Sequence, residues 1–436
     1  SVYGQDNVID EVVWVVGDEA ILKSDVENER LNAQYEGRKF DGDPYCIIPE
    51  QLAIQKLFLH QAAIDSIEVS EQEIISDVER RTNWLIDQIG SKEKVEEYYN
   101  KTSTQIREML RENIRDGKTV QKMQQQIVGD IKITPAEVRR YFKDLPQDSI
   151  PFIPTQVEVQ IITMEPKIPQ EEIERVKKTL RDYTERVTSG EIAFSTLARL
   201  YSEDEGSRRR GGELGFMGRA ELVPEYANVA FNLQDPNKVS KIVESEFGFH
   251  IIQLIEKRGD RINTRHILLK PKVDEKDLEA ALLRLDSIAN DIRNEKFTFD
   301  DAATYISHDK DTRNNHGLMA NPQTGTARFE MQQLAQVSQE AAKMVEGMNV
   351  GEISKPFTMI NAKGKEICAI VKLKTRLNGH KATITEDYQR LKGIVMEKRS
   401  EEKLDKWIRD KQKHTYVRIN EKWQKCDFKY PGWVKK

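Results

Sequence analysis

A tandem duplication constrains this chain more than any other feature. Phe194-Ser195-Thr196-Leu197-Ala198-Arg199-Leu200-Tyr201-Ser202-Glu203-Asp204 aligns without gaps on Phe299-Asp300-Asp301-Ala302-Ala303-Thr304-Tyr305-Ile306-Ser307-His308-Asp309, with Phe, Ala, Ser and Asp in register. Two more blocks keep the same order. Val159-Gln160-Ile161-Ile162 matches Arg265-His266-Ile267-Leu268, and Val239-Ser240-Lys241 matches Ile353-Ser354-Lys355. Three ordered blocks require two copies of one structural unit, each reading as short strands, charged helices and a glycine-rich loop.

Around the repeats the chain reads as helical. At 436 residues it suggests about three domains. Val12-Val13-Trp14-Val15-Val16, closed by Gly17-Asp18, predicts one opening strand. Ser24-Asp25-Val26-Glu27 and Ser70-Glu71-Gln72-Glu73 predict capping boxes, and Thr134-Pro135-Ala136-Glu137 predicts a third helix start with proline at its first position. Ser149-Ile150-Pro151-Phe152-Ile153-Pro154 ends that region. Beyond the second repeat, Thr383-Ile384-Thr385-Glu386 opens a helix to about Lys411, and Thr415-Tyr416-Val417-Arg418-Ile419 predicts a strand. The two terminal strands either pair or remain independent edges.

Composition excludes several classes. Lys+Arg 68 against Asp+Glu 73 gives a net charge of −5, too acidic for a dedicated nucleic-acid binder. No stretch approaches the ~20 apolar residues of a membrane-spanning helix. No charged segment followed by an apolar run opens the chain, so a signal peptide is expected to be absent or already removed. Cys46, Cys368 and Cys426 lack zinc spacing, and the seven histidines form no HExxH. Neither a metal nor a cofactor is expected.

The motifs of the first repeat carry a resemblance. Ser202-Glu203-Asp204, Gly211-Gly212-Glu213-Leu214-Gly215-Phe216, Leu222-Val223-Pro224-Glu225-Tyr226 and Phe247-Gly248-Phe249-His250-Ile251-Ile252 follow the order of a parvulin domain, the βαααβαββ module of one peptidyl-prolyl isomerase family. With a helical N-terminal region and a C-terminal helix, the whole resembles the SurA-type periplasmic chaperone-isomerases. The resemblance implies an α+β fold with a helical chaperone region at 1–154, parvulin-like domains at 155–260 and 261–376, and a helix and strand at 377–436 packing back on the N-terminal region. Proteolysis is expected near Pro151–Thr155, Arg258–Asn263 and Asn378-Gly379, where turn residues and charge combine.

The resemblance also implies residue roles. Leu214, Leu222, Tyr226 and Phe247 would bind the proline ring, with Asp204, His250 and Gln160 at the amide. Parvulins carry one histidine on the first strand and one on the last. The first repeat has Gln160 and His250; the second has His266, Asp309 and Leu318, with Ala369 where its last histidine would fall. Each copy is thus expected to have lost one histidine and to be weakened, the first less so because glutamine still hydrogen-bonds. The implied function is an extracytoplasmic, periplasmic chaperone for unfolded clients, outer-membrane proteins among them, with weak or vestigial isomerase activity. The alternative is a dedicated prolyl isomerase with accessory helices. Client binding is expected on the helical part, with candidates among Leu52, Leu57, Phe58, Trp84, Leu85, Tyr98, Tyr99, Met109, Leu110 and Met123, some of which must serve the core. If the chain ends pair in an oxidising compartment, Cys46 and Cys426 could bridge, while Cys368 stays a buried thiol.

Overall fold

The computed structural model describes residues 10–435. Two compact units result, one formed by residues up to Leu145 together with Thr383 onward, the other by Pro146–Ala382.

The first unit opens with β1 (Val12–Val16), β2 (Glu19–Leu22), α1 (Lys23–Tyr35), α2 (Pro44–Ile64), α3 (Glu71–Ile89), α4 (Lys92–Tyr99), α5 (Ser103–Val128) and α6 (Pro135–Lys143). Ser70 and Thr134 cap their helices as expected, accepting from the backbone N–H of Glu73 and Glu137. Ser24 does not cap. Helix α1 starts earlier, at Lys23, with the Asp25 carboxylate accepting from the Leu22 N–H, while Ser24 bonds Asp10.

The second unit contains β3 (Phe152–Ile153), β4 (Gln156–Met164), α7 (Gln170–Thr188), α8 (Phe194–Tyr201), β5 (Glu213–Gly218), α9 (Pro224–Ala230), β6 (Val243–Ser245), β7 (Gly248–Arg258) and β8 (Arg261–Leu269). It continues with α10 (Glu275–Arg293), α11 (Phe299–Tyr305), β9 (Phe329–Glu330), α12 (Met331–Val337), α13 (Gln339–Glu346), β10 (Phe357–Ile360), β11 (Glu366–Leu377) and β12 (His380–Lys381). Helix α14 (Ile384–His414) and β13 (Val417–Ile419) return to the first unit.

The chain ends do pair. Strand β13 lies antiparallel to β1, with Trp14 opposite Ile419. Trp14 is fully buried, edge-on to Phe428 and Trp433, and α2 and α14 close the same core, where Phe58 stacks on Trp407 at 4.9 Å. A buried carboxylate ties the C-terminal coil down: Glu50 accepts from the backbone N–H of Lys429 and Tyr430 and from the Trp433 indole N–H, at 2.9, 3.0 and 2.7 Å. Three donors compensate its desolvation. Cys46 and Cys426 form a disulfide with their Cα atoms 5.5 Å apart, and Cys368 is buried and free. Denatured, unreduced protein is therefore expected to titrate one thiol per chain, and three after reduction.

The structure separates the client-binding candidates that serve the core. Leu57, Phe58 and Met123 are buried in the terminal core, and Leu85 and Leu110 in a second one between α3 and α5. The capped helices need these side chains for their own packing.

The tandem unit holds two four-stranded antiparallel sheets, ordered β5-β8-β7-β6 and β10-β11-β4-β9. They do not follow the repeats. Strand β8, at the start of the second repeat, forms a hairpin with β7, paired from Arg258 opposite Arg261 to Phe249 opposite Leu269. Strand β4, at the start of the first repeat, pairs with β11 at the far end of the second, Gln156 opposite Leu377 and Met164 opposite Cys368. The repeats have exchanged first strands. The first module is thus α7 to β8, and the second is β4 with α10 to β11. The division expected between 260 and 261 falls where a two-residue turn, Gly259-Asp260, with Gly259 at φ +61°, meets β8. So short a connection forces the chain back beside β7, which a domain boundary there would not.

Helices α7 and α8 cover one face of the first sheet through Val176, Leu180, Phe194 and Leu197 against Phe249, Ile251 and Ile267. The other face carries Tyr226, Ile252, Leu254 and Ile262. Because Arg258–Asn263 is a tight turn closed by the β7–β8 ladder, limited proteolysis should spare it; cleavage there as fast as at Leu145–Ile150 would contradict the hairpin.

Candidate isomerase site

Strand exchange decides which residues meet. His250 on β7 and His266 on β8 face each other across the hairpin, their Nδ1 atoms 3.0 Å apart and their rings stacked at 5.2 Å. His266 Nε2 lies 2.7 Å from Asp204 Oδ2, just after α8, and His250 Nε2 lies 2.6 Å from Ser245 Oγ at the end of β6. Ser207 Oγ donates to Asp204 Oδ2 at 2.6 Å, and the Phe247 N–H donates to Ser245 Oγ at 3.2 Å. Tyr226 stands edge-on to both imidazoles, at 5.5 and 5.6 Å, its hydroxyl 2.8 Å from Thr264 Oγ1.

One proton arrangement satisfies the whole row with both rings neutral. Ionised Asp204 requires a donor, so His266 carries its proton on Nε2 and accepts at Nδ1. His250 must then donate from Nδ1, leaving its Nε2 to accept from the Ser245 hydroxyl. Burial disfavours a charge on His250, the neighbouring His266 adds to this, and Asp204 opposes it only partly, so its pKa is pushed down to about 3. Burial alone would raise the Asp204 pKa, but its bonds from His266 and Ser207 hold it below the usual carboxylate range. Burial raises the Tyr226 phenol.

A pH dependence follows. His250 takes up a proton more readily unfolded than folded, so the second unit should be most stable above about pH 6.5 and lose stability as pH falls towards about 3. Asp204 acts only below about pH 4, where its favourable contribution is lost. Thermal melts should fall between pH 7 and 5, and His250→Gln should flatten that slope. An unchanged slope in the variant would contradict a neutral buried His250.

The expected residues divide as follows. Asp204, His250, Tyr226, Leu214 and Leu222 come together, the two leucines partly exposed against Tyr226. Phe247 does not line that slot; it sits in the β6–β7 turn with the Lys363 ammonium 5.0 Å over its ring. His266 belongs to the first module, not to the second repeat's site. Gln160 lies in the other sheet, its amide donating to His316 O at 2.9 Å and to Asp300.

Backbone bonds show why Gln160 fails even as a counterpart. The His266 N–H donates to Gly212 O, as Ile161 does to Gly317 O, and Leu268 N–H donates to Ser202 Oγ, as Thr163 does to Ser307 Oγ. Ile161, not Gln160, therefore occupies the histidine position. One residue of register reverses the face. On the last strand, His250 opposes Leu268 and Ala369 opposes Thr163, so Ala369 holds the second histidine position. Asp309 keeps its Thr312 bond, as Asp204 keeps Ser207, and Leu318 bridges to Gln160. One module thus has both histidines and the other has neither. The expectation of one loss per copy is corrected by the exchange. Ser245 and Thr264 went unrecognised in the sequence, although Ser245 stands just ahead of Phe247-Gly248-Phe249-His250.

Residues 161–256 and 266–375 each match the rotamase family model described as the PPIC-type PPIASE domain. These two segments are domains of the parvulin class. The chain is related in sequence to the SurA chaperones: 24% identical to Chaperone SurA of Aliivibrio fischeri, over 94% of this chain and 92% of that protein, and 25% identical to Chaperone SurA of Salmonella typhimurium, over 72% and 75%. A solved structure described among SurA-like chaperones of Campylobacter jejuni aligns over 94% of this chain and 99% of its own, with 8% identity and a TM-score of 0.30.

Proposed function

We propose that this protein is a periplasmic chaperone for unfolded polypeptides, outer-membrane proteins among them, whose prolyl isomerase activity resides in the first module alone. The observation that carries the isomerase reading is the Asp204–His266–His250–Ser245 row beneath the Leu214, Leu222 and Tyr226 slot. The X–Pro barrier of ~18–20 kcal/mol comes from amide resonance, so no bond has to break. The slot holds the pyrrolidine ring and excludes water, while the polar row favours the twisted amide over the planar, charge-separated one. Leu214→Ala should open the slot and lower kcat/KM with Tyr226 still in place; an unchanged value would remove Leu214 from substrate contact.

Client binding needs apolar surface outside that slot. Trp84, Tyr99 and Met109 line a depression of about 520 Å³ in the first unit, rimmed by Glu36, Arg38 and Arg81. Such a surface suits strands that alternate apolar and polar residues, and requires no proline. Among the described residues no helix is long and apolar enough to cross a membrane. The dedicated-foldase reading gains from the intact histidine pair. One experiment separates the two: His266→Ala in the full chain, assayed for X–Pro exchange and for protection of an unfolded β-barrel protein from aggregation. The chaperone reading predicts lost exchange with protection retained; loss of both would favour the foldase.

A further inference from the structure

Strands β4 and β8 are interchangeable by their bonding. Each donates from the same position to a glycine carbonyl, Gly317 or Gly212, and two residues later to a serine hydroxyl, Ser307 or Ser202. The next residues answer alike: the His308 N–H donates to Thr163 O and the Glu203 N–H to Leu268 O. Each strand then enters a helix through a proline-containing link, Glu165–Pro169 or Lys270–Asp274. Their backbone bonding does not distinguish them; the connection to β7 does, together with the Asn263, Thr264 and His266 side chains, which bond Glu213, Tyr226 and Asp204. That connection is the Gly259-Asp260 turn for β8, whereas β4 would have to return across the whole first module.

We propose that this two-residue turn is a positioning element of the isomerase, selecting β8 over β4 for the edge of β7. The inference rests on the isomerase reading for its activity readout. With β8 in place, His266 completes the pair with His250. With β4 in place, Ile161 would take that position in the first module, and His266 would face Ala369 in the second. Neither module would then hold two histidines. A tight hairpin favours its own strand because closing it costs little chain entropy, and lengthening the connection erodes that advantage.

The test places paired cysteines in the full chain, with Cys368→Ala and the Cys46–Cys426 bridge kept. Gln253 opposes Arg265 in the hairpin, and Gln160 holds the position of Arg265 on the competing strand. With the native turn, Gln253→Cys with Arg265→Cys should cross-link and Gln253→Cys with Gln160→Cys should not. Inserting about eight Gly/Ser residues between Gly259 and Asp260 should produce the second cross-link. X–Pro exchange should fall in proportion to the chains that form it. A full rate with only the first cross-link would overturn the proposal. So would lost activity without the second cross-link, since β4 would not have displaced His266. A parent chain with no isomerase activity would instead refute the isomerase reading, while the cross-links would still decide which strand lies beside β7.

Discussion

Replacing His266 by alanine in the full chain should lower X–Pro exchange by roughly five- to a hundredfold, whereas Gln160→Met should leave it unchanged. Removing His266 strips Asp204 of a donor and leaves the His250 Nδ1–H without its acceptor in a buried site. Losing such a partner costs ~1–3 kcal/mol, and each 1.4 kcal/mol is a factor of ten. Gln160 serves only the second sheet, through Asp300 and His316. Were Gln160→Met the damaging substitution, β4 would lie beside β7 and the exchange described here would be wrong.

The second large effect concerns the chain ends. Cys46→Ser with Cys426→Ser should destabilise the first unit by about 2–4 kcal/mol, because the bridge joins residues 380 apart and confines the unfolded chain. All five tryptophans, Trp14, Trp84, Trp407, Trp423 and Trp433, lie in that unit, so denaturation followed by indole fluorescence reports it alone. The midpoint should fall, while X–Pro exchange in the other unit stays at the parental rate. An unmoved midpoint would mean that β1–β13 pairing and the Glu50 bonds already hold the ends without the disulfide.

The fold class was legible because its signals are local. Caps at Ser70 and Thr134, the Val12–Val16 run and the repeated Phe-Ala-Ser-Asp frame depend on neighbours a few residues away. Which strand completes which sheet does not. The repeats align in sequence order whether or not they exchange strands, since β4 and β8 have the same pattern. A clue was nonetheless present: Arg258-Gly259-Asp260-Arg261 stands between two strand-like runs, and a two-residue gap with glycine signals a hairpin rather than a linker. Read as a linker, it assigned His250 and His266 to different domains. Gln160 was misplaced for a smaller reason, since a polar residue beside Ile161 resembles the histidine position until register shows which side chain faces which way.

Two fragments test the central account most directly. Residues 165–270 contain the first module as folded, with both histidines, whereas residues 155–260 contain the first repeat as counted along the chain, with β4 and no His266. X–Pro exchange on a proline peptide should be catalysed by 165–270 and not by 155–260, with circular dichroism confirming that each is folded. Activity in folded 155–260 and none in folded 165–270 would contradict the account.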